Sequence, residues 1–307
     1  MEAVFSRTTP LLPAETRVEQ TAAGTLYNAH IVRTNALMEV VVCSVATEKQ
    51  HLVGDGVWPE WKLGPRHPTA VAVLDASLAL ALTDGSVVMG SVCSPAPHVV
   101  LAQEHRSIPA GCLKWADSGL LVAAVVPDTE EGSLVLFSMG ASGAAQTTSV
   151  PLLNTPVSLV SCPTSVAVLD ANASAQLFSV GTDGFLPGAV LPWTSALHSL
   201  GGGLLLTREG ADIVAHRVKG CSARRHGHLP AGVAAAVASK SGVLAVQFTE
   251  FGATLQRYAA TEDGFQRTRT CTLDDVPAFA RLELFSSDTG TAVVAMPSEA
   301  RAWAVRV

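Results

Sequence analysis

The sequence predicts an all-β chain, a seven-bladed β-propeller whose N-terminal strand closes the last blade, and three observations carry that prediction. A turn signal followed by seven or eight strand-like residues, ending in an aromatic or small residue, a polar residue and an aliphatic one, recurs along the chain. Taking one equivalent position per copy gives Cys43, Gly90, Phe137, Phe178, His216, Tyr258 and Trp303, a mean step of roughly 43 residues, which is the period of four-stranded blades. The last unit holds only three strand candidates, while an unassigned strand-like piece, Glu2 to Thr8, precedes the first unit. Joining the two removes a free sheet edge, which is why rings of sheets close this way.

Each unit reads as apolar run, turn, apolar run, tight turn, alternating run, then a looser segment. The opening copy is Met38 to Val45, and the two clearest are Asp84 to Val92 and Glu131 to Met139. Weaker copies are Ala173 to Val180, Gly210 to Val218, Gly252 to Ala260 and Glu299 to Val305. The third unit shows the whole order: Gly111 to Trp115, the turn Ala116 to Gly119, then Leu120 to Val126 and Leu134 to Met139. The glycines accept positive φ, and Asp or Ser hydrogen-bonds the turn backbone, so these short aliphatic runs are strands and no long helix is needed. Units fall near 13–65, 66–106, 107–151, 152–192, 193–230, 231–273 and 274–307, with Ala278 to Leu284, Thr291 to Met296 and Arg301 to Val307 as the strands of the last. The repeat makes residues 1–307 one domain, although 307 residues alone would suggest two.

With 48% hydrophobic and 15% charged residues the chain can bury a large core, and its formal charge of -6 gives no general reason to expect nucleic acid. The longest apolar stretches, Thr69 to Leu82 and Ala231 to Phe248, are broken by Asp75 and Lys240, so neither is a bilayer-spanning helix. Met1 to Arg7 lacks the basic start and apolar centre of a secretory signal. The expectation is a soluble intracellular protein of the cytoplasm or nucleus. Six scattered cysteines, Cys43, Cys93, Cys112, Cys162, Cys221 and Cys271, show no C-x-x-C spacing and read as reduced, mostly buried small side chains.

The turns Ala116 to Gly119, Glu131-Gly132 and Asp84-Gly85, with the strand ends Phe137-Ser138-Met139 and Phe178-Ser179-Val180, resemble the WD40-repeat family over essentially the full chain. The form is degenerate. The family's Trp-Asp pair is absent from every unit, with Phe137, Phe178, Tyr258 and Trp303 in the aromatic slot and Ser or another residue in the Asp slot; the Gly-His pair before the first strand is also missing. The resemblance implies a scaffold that holds other proteins, as a subunit of a multiprotein assembly.

Candidate sites point the same way. In Trp58 to Pro68 three prolines stiffen a segment holding two of the five tryptophans. Rigid Trp and Arg side chains give large contact area at low entropic cost, so Trp58, Trp61 and Arg66 are expected to bind a partner. Arg224, Arg225 and His226, with Arg217 and Lys219 close by, form the densest positive segment of an acidic chain and suit an acidic protein surface or a phosphate. His226 and His228 have strand spacing, but no third metal ligand lies near them. The carboxylates Asp128 to Glu131, Glu262-Asp263 and Asp274-Asp275 lack the spacing of a calcium loop. No nucleophile elbow, phosphate loop or dinucleotide fingerprint occurs, since Met139 to Gly143 is not G-x-S-x-G. The sequence therefore predicts no enzyme and no cofactor. The alternative is a propeller enzyme or small-ligand binder with a site at the central channel, which the acid- and histidine-poor runs Val71 to Val73 and Val157 to Val160 disfavour.

Overall fold

In a computed structural model the described backbone is residues 2–306 without 9–15, 24–25, 35–39, 49–50, 58–67, 75–76, 92–97, 102–105, 110, 118–119, 128–131, 141–142, 182–183, 240–241, 263, 274–275, 278–279, 281, 287–290 and 297–300. Side chains are described for most of 148–273 and for parts of 69–90, 107–138 and 276–294. Trp58, Trp61 and Arg66 lie outside the described residues, as do Asp128 to Glu131, Asp263 and Asp274-Asp275.

Among the described residues the chain forms strands and turns and no helix. β1 (Glu2–Thr8) stands apart from its sequence neighbours. The first sheet is β2 (Thr16–Ala23), β3 (Leu26–Thr34), β4 (Val40–Glu48) and β5 (His51–Val57). The second is β6 (Pro68–Leu74), β7 (Ser77–Leu82), β8 (Val87–Ser91) and β9 (His98–Leu101). The third has β10 (Arg106–Ser107), β11 (Leu113–Asp117), β12 (Leu120–Pro127), β13 (Ser133–Gly140) and β14 (Gly143–Pro151). The fourth is β15 (Pro156–Cys162), β16 (Ser165–Asp170), β17 (Ser174–Gly181) and β18 (Gly184–Pro192). The fifth is β19 (Ala196–Gly201), β20 (Leu204–Glu209), β21 (Asp212–Lys219) and β22 (Ser222–His228). The sixth is β23 (Val233–Ser239), β24 (Gly242–Thr249), β25 (Gly252–Thr261) and β26 (Gly264–Leu273). The last contains β27 (Glu283–Ser286), β28 (Thr291–Met296) and β29 (Arg301–Arg306), with β1 added antiparallel to β29 from Glu2↔Arg306 to Thr8↔Arg301.

The sheets are antiparallel meanders joined by short connections, and their first strands lie side by side in the order β2, β6, β11, β15, β19, β23, β27 and back to β2. That cyclic adjacency makes the arrangement a ring of radiating sheets. The expected closure by Glu2 to Thr8 is what the chain does, because β29 would otherwise present an unpaired edge.

The expected strand Gly111 to Trp115 is present as β11, with the short β10 as an added piece ahead of it. Cys112 N donates to Pro109 O, a turn that separates β10 from β11, and both pieces pair with the long β12. In the last sheet Ala280 N donates to Pro277 O and β27 runs over Glu283–Ser286, while the expected strand start at Ala278 lies outside the described residues.

Burial follows position in the sheet. The second strands are covered on both faces: Val166 to Leu169, Leu204 to Thr207 and Gly242 to Val246 are buried. They read as unbroken aliphatic runs, not as alternating ones, for that reason. A fully buried Leu such as Leu205 contributes about 2 kcal/mol relative to exposure. The outermost strands β18, β22 and β26 are the most exposed; β22 and β26 are largely polar, whereas β18 is apolar and leaves Leu186 and Val190 exposed. The apolar clusters lie in seams between neighbouring sheets, one running from Ala70 to Phe178, another joining Leu204 and Ala215 to Val243 and Tyr258. The slot residues Phe137, Phe178, His216 and Tyr258 are all buried, and Phe178 meets Phe185 edge to face at 6.2 Å. Cys112 and Cys271 are buried and Cys162 and Cys221 half-buried, none of the four in a disulfide.

The seams are tight and polar at their ends. Ser161 Oγ donates to Trp115 O at 2.8 Å, Ser165 Oγ to Gly220 O at 3.1 Å, and Ala238 N to Ser199 Oγ at 2.7 Å, each bond crossing from one sheet to the next. At Gly188 the approach is closest, since a Cβ there would stand 2.0 Å from the Cys221 carbonyl oxygen.

Candidate interaction surface

The fifth sheet carries the sequence's positive segment, and strand geometry sorts its members onto two faces. Successive side chains on a strand point to opposite sides, whereas cross-strand partners share one. Arg225 is the partner of His216, and Arg224 is the partner of Arg217. Arg224 and Arg225 therefore serve different faces.

On one face the charges are matched. The Glu209 carboxylate lies 3.1 Å from His216 Nε2 and 3.5 Å from Arg225 Nη1. A carboxylate only accepts, so Nε2–H donates to Glu209, with the Thr207 hydroxyl 3.2 Å away. His216 titrates below its ordinary range: burial pushes it down, Glu209 opposes that by charge and hydrogen bond, and Arg225 adds to it. In the sixth sheet a different set fills the same slot, as Tyr258 donates to Gln256, whose Nε2 reaches Gln247 at 3.0 Å, and Gln247 Nε2 donates to Ala231 O. Both networks replace the Trp-Asp pair with residues whose individual types give no such signal in sequence.

On the other face the charges are not matched. Arg217 Nε donates to His226 Nδ1 at 3.2 Å and its Nη2 to Thr261 O at 3.3 Å, so this guanidinium ties the fifth sheet to the β25–β26 turn of the sixth. The His226 ring stands edge-on to Phe265 at 5.2 Å. Burial first, then Arg217, lowers the His226 pKa, and an interaction of the ring with the Gly264 backbone as acceptor opposes them. With Nδ1 accepting and the ring wedged between sheets, His226 positions Arg217. Arg217, Lys219 and Arg224 then line a groove of about 640 Å³ between the two sheets, with Gly203, Ser222 and Ser239 among its walls. Neither the Lys219 nor the Arg224 side chain has a hydrogen bond or ion pair among the described residues. Nine Lys or Arg stand against five Asp or Glu between residues 193 and 273, a positive sector in a chain of formal charge -6.

Trp193 and Phe251, which the sequence reading passed over, are 83% and 90% exposed. Trp193 holds φ 63°, a left-handed conformation unfavourable for a bulky side chain, and sits where Thr194 N donates to Ala173 O. Their signal was only that each falls in a connection, where a large apolar residue has nothing to cover it.

His198, on β19, is pushed down to about 4 by burial and then by Arg208, and its Nε2 is enclosed with no partner among the described residues. Its folded pKa lies below the unfolded value near 6.5, so the neutral ring's contribution is complete above about pH 6.5 and is lost as pH falls toward 4. That contribution is about 3 kcal/mol. Urea unfolding at pH 7 and pH 4.5 is expected to show a loss of this order that His198→Leu largely abolishes; an equal loss in the variant would place the acid sensitivity elsewhere.

Among the described residues no group of three or more His, Cys, Asp or Glu is arranged to hold a metal, and no helix is long and apolar enough to cross a membrane.

No protein-family model matches the sequence, and no curated protein matches it by sequence. Solved structures do match by fold. A chain of the Mitotic Checkpoint Complex superimposes at TM-score 0.65 and 13% identity, over 100% of this chain and 92% of its own. Sqt1 of Saccharomyces cerevisiae gives 0.61 at 12% identity, covering 100% and 98%. The WD40 domain of SCAP from fission yeast gives 0.50 at 12%, covering 99% and 89%. At these identities the similarity is one of fold, and the chain has the fold of a WD40-like β-propeller.

Proposed function

We propose that the protein is a non-enzymatic interaction scaffold, a seven-bladed ring that serves as one subunit of a multiprotein assembly in the cytoplasm or nucleus, needing no cofactor. One observation carries this reading. The outer strand β22 displays Arg224 and Arg225 to solvent on a backbone fixed by its ladder to β21, so the binding groups are presented with little backbone entropy left to lose. A fold neighbour solved within the Mitotic Checkpoint Complex supports the assembly role by analogy. Trp58, Trp61 and Arg66 belong to the same proposal as a second contact segment.

Affinity purification of the tagged protein from its native cells, followed by cross-linking and mass spectrometry, is expected to recover stoichiometric partners linked through the outer strands. Trp58→Ala with Trp61→Ala is expected to leave the melting temperature unchanged and reduce recovery by about tenfold, the effect of losing an aromatic anchor. Undiminished recovery would remove that segment, and a protein recovered alone would remove the scaffold role.

A further inference from the structure

We infer that the groove between the fifth and sixth sheets is a binding site for an acidic peptide segment of a partner protein, held by Arg217, Lys219 and Arg224. The inference rests on the scaffold reading and adds the site and the chemistry of what fills it.

Charge placement is the first argument. Arg217 and Arg224 stand directly opposite one another across the β21–β22 ladder, and Lys219 lies two residues beyond Arg217 on the same face. Like charges set opposite each other destabilise a sheet. On the reverse face the chain neutralises the equivalent problem with Glu209, which serves both His216 and Arg225. On the groove face no carboxylate does this among the described residues; Glu262, in the neighbouring turn, makes no ion pair there. Among the described residues these three exposed cations have only water to balance them, and an acidic ligand would supply the counter-charge.

Preorganisation is the second argument. Arg217 is fixed by His226 and by Thr261 O, and those two bonds use its Nε and Nη2, leaving Nη1 for a ligand. Lys219 and Arg224 carry unspent donors. The groove, at about 640 Å³, has room for several residues of extended chain, and its lining includes the small residues Gly203, Ser222, Ala223 and Ser239. Small residues and long cations in one lining suit a strand-like peptide whose carboxylates or phosphoryl groups alternate toward the cations. Specificity would come from spacing, since the cations are set by the ladder. Of the positive segment, only Arg224 faces this groove; Arg225 is held by Glu209 on the opposite face and His226 acts through Arg217.

The test uses the full chain and a fluorescein-labelled peptide of six glutamates flanked by Gly-Ser, read by fluorescence anisotropy, with a six-glutamine peptide as control. Wild type is expected to bind the acidic peptide and not the control, with affinity falling as salt rises. Lys219→Glu with Arg224→Glu, both exposed and unpaired, is expected to weaken binding about tenfold or more, whereas Arg267→Glu with Arg269→Glu, an equal charge change on the outer strand of the sixth sheet, is expected to weaken it less than about threefold. Equal losses in both variants would overturn the site, leaving only general attraction. Failure of wild type to bind the peptide, or its sedimentation with phosphatidylserine vesicles in place of peptide binding, would overturn it as well. Purification from cells separates this from the scaffold role: partners recovered equally by wild type and by the Lys219→Glu/Arg224→Glu chain would sink the groove and spare the scaffold.

Discussion

Gly188→Ala is expected to lower the melting temperature by roughly 6 °C, far more than an added methyl group costs on an ordinary outer strand. Gly188 lies on β18, where a Cβ would meet the Cys221 carbonyl oxygen at 2.0 Å and the Cys221 Cβ at 2.3 Å. Backbone from the next sheet is what it strikes, so no side-chain rotation relieves the overlap. The seam must open, and the bond from Ala189 N to Cys221 O at 2.8 Å goes with it. Overpacking of this kind costs about 3 kcal/mol, which for a chain of this size is near 2 °C per kcal/mol. Gly210→Ala is the contrast: that glycine has φ +64° and nothing within 4 Å, so only the backbone cost of about 1 kcal/mol applies. Equal shifts for the two variants in a thermal melt would mean that the fourth and fifth sheets are not in contact at this point.

Deleting Glu2 to Thr8 is expected to be the more damaging change. β1 makes six register pairs with β29. At about 1 kcal/mol net per backbone hydrogen bond the loss is about 5 kcal/mol, a large part of the 5–15 kcal/mol that ordinarily separates folded from unfolded. The freed edge of β29 is also a template for pairing with another chain, so the truncated protein should elute as oligomers in size-exclusion chromatography. An unchanged urea midpoint and a monomeric profile would show that the ring is not closed by this strand.

Much of the fold was legible because its causes are local. Turn glycines such as Gly85 and Gly210 adopt the positive φ that their tight turns require, and the aliphatic runs between turns became the buried second strands. The orphan strand at the head and the short last unit had to find each other, since neither is complete alone. Less of the interaction surface was legible, because it depends on facing. Arg224 and Arg225 are adjacent in sequence and part company by alternation, while a bulge between Ala215 and His216 sets which partner each receives. Glu209 joins His216 and Arg225 across a turn, a relation that no spacing rule announces. The approach of Gly188 to Cys221 and the reach of Arg217 to Thr261 span separate units, so their signal exists only once the sheets stand side by side.

Head-to-tail closure can be read directly by placing cysteines at the register pair Arg7↔Ala302 and mapping cross-linked peptides by mass spectrometry after treatment with a short thiol-reactive linker. An intramolecular 7–302 linkage that forms in native buffer and disappears in concentrated urea is the expected result. A chain that keeps its full strand signal in circular dichroism yet never yields that linkage would contradict the ring.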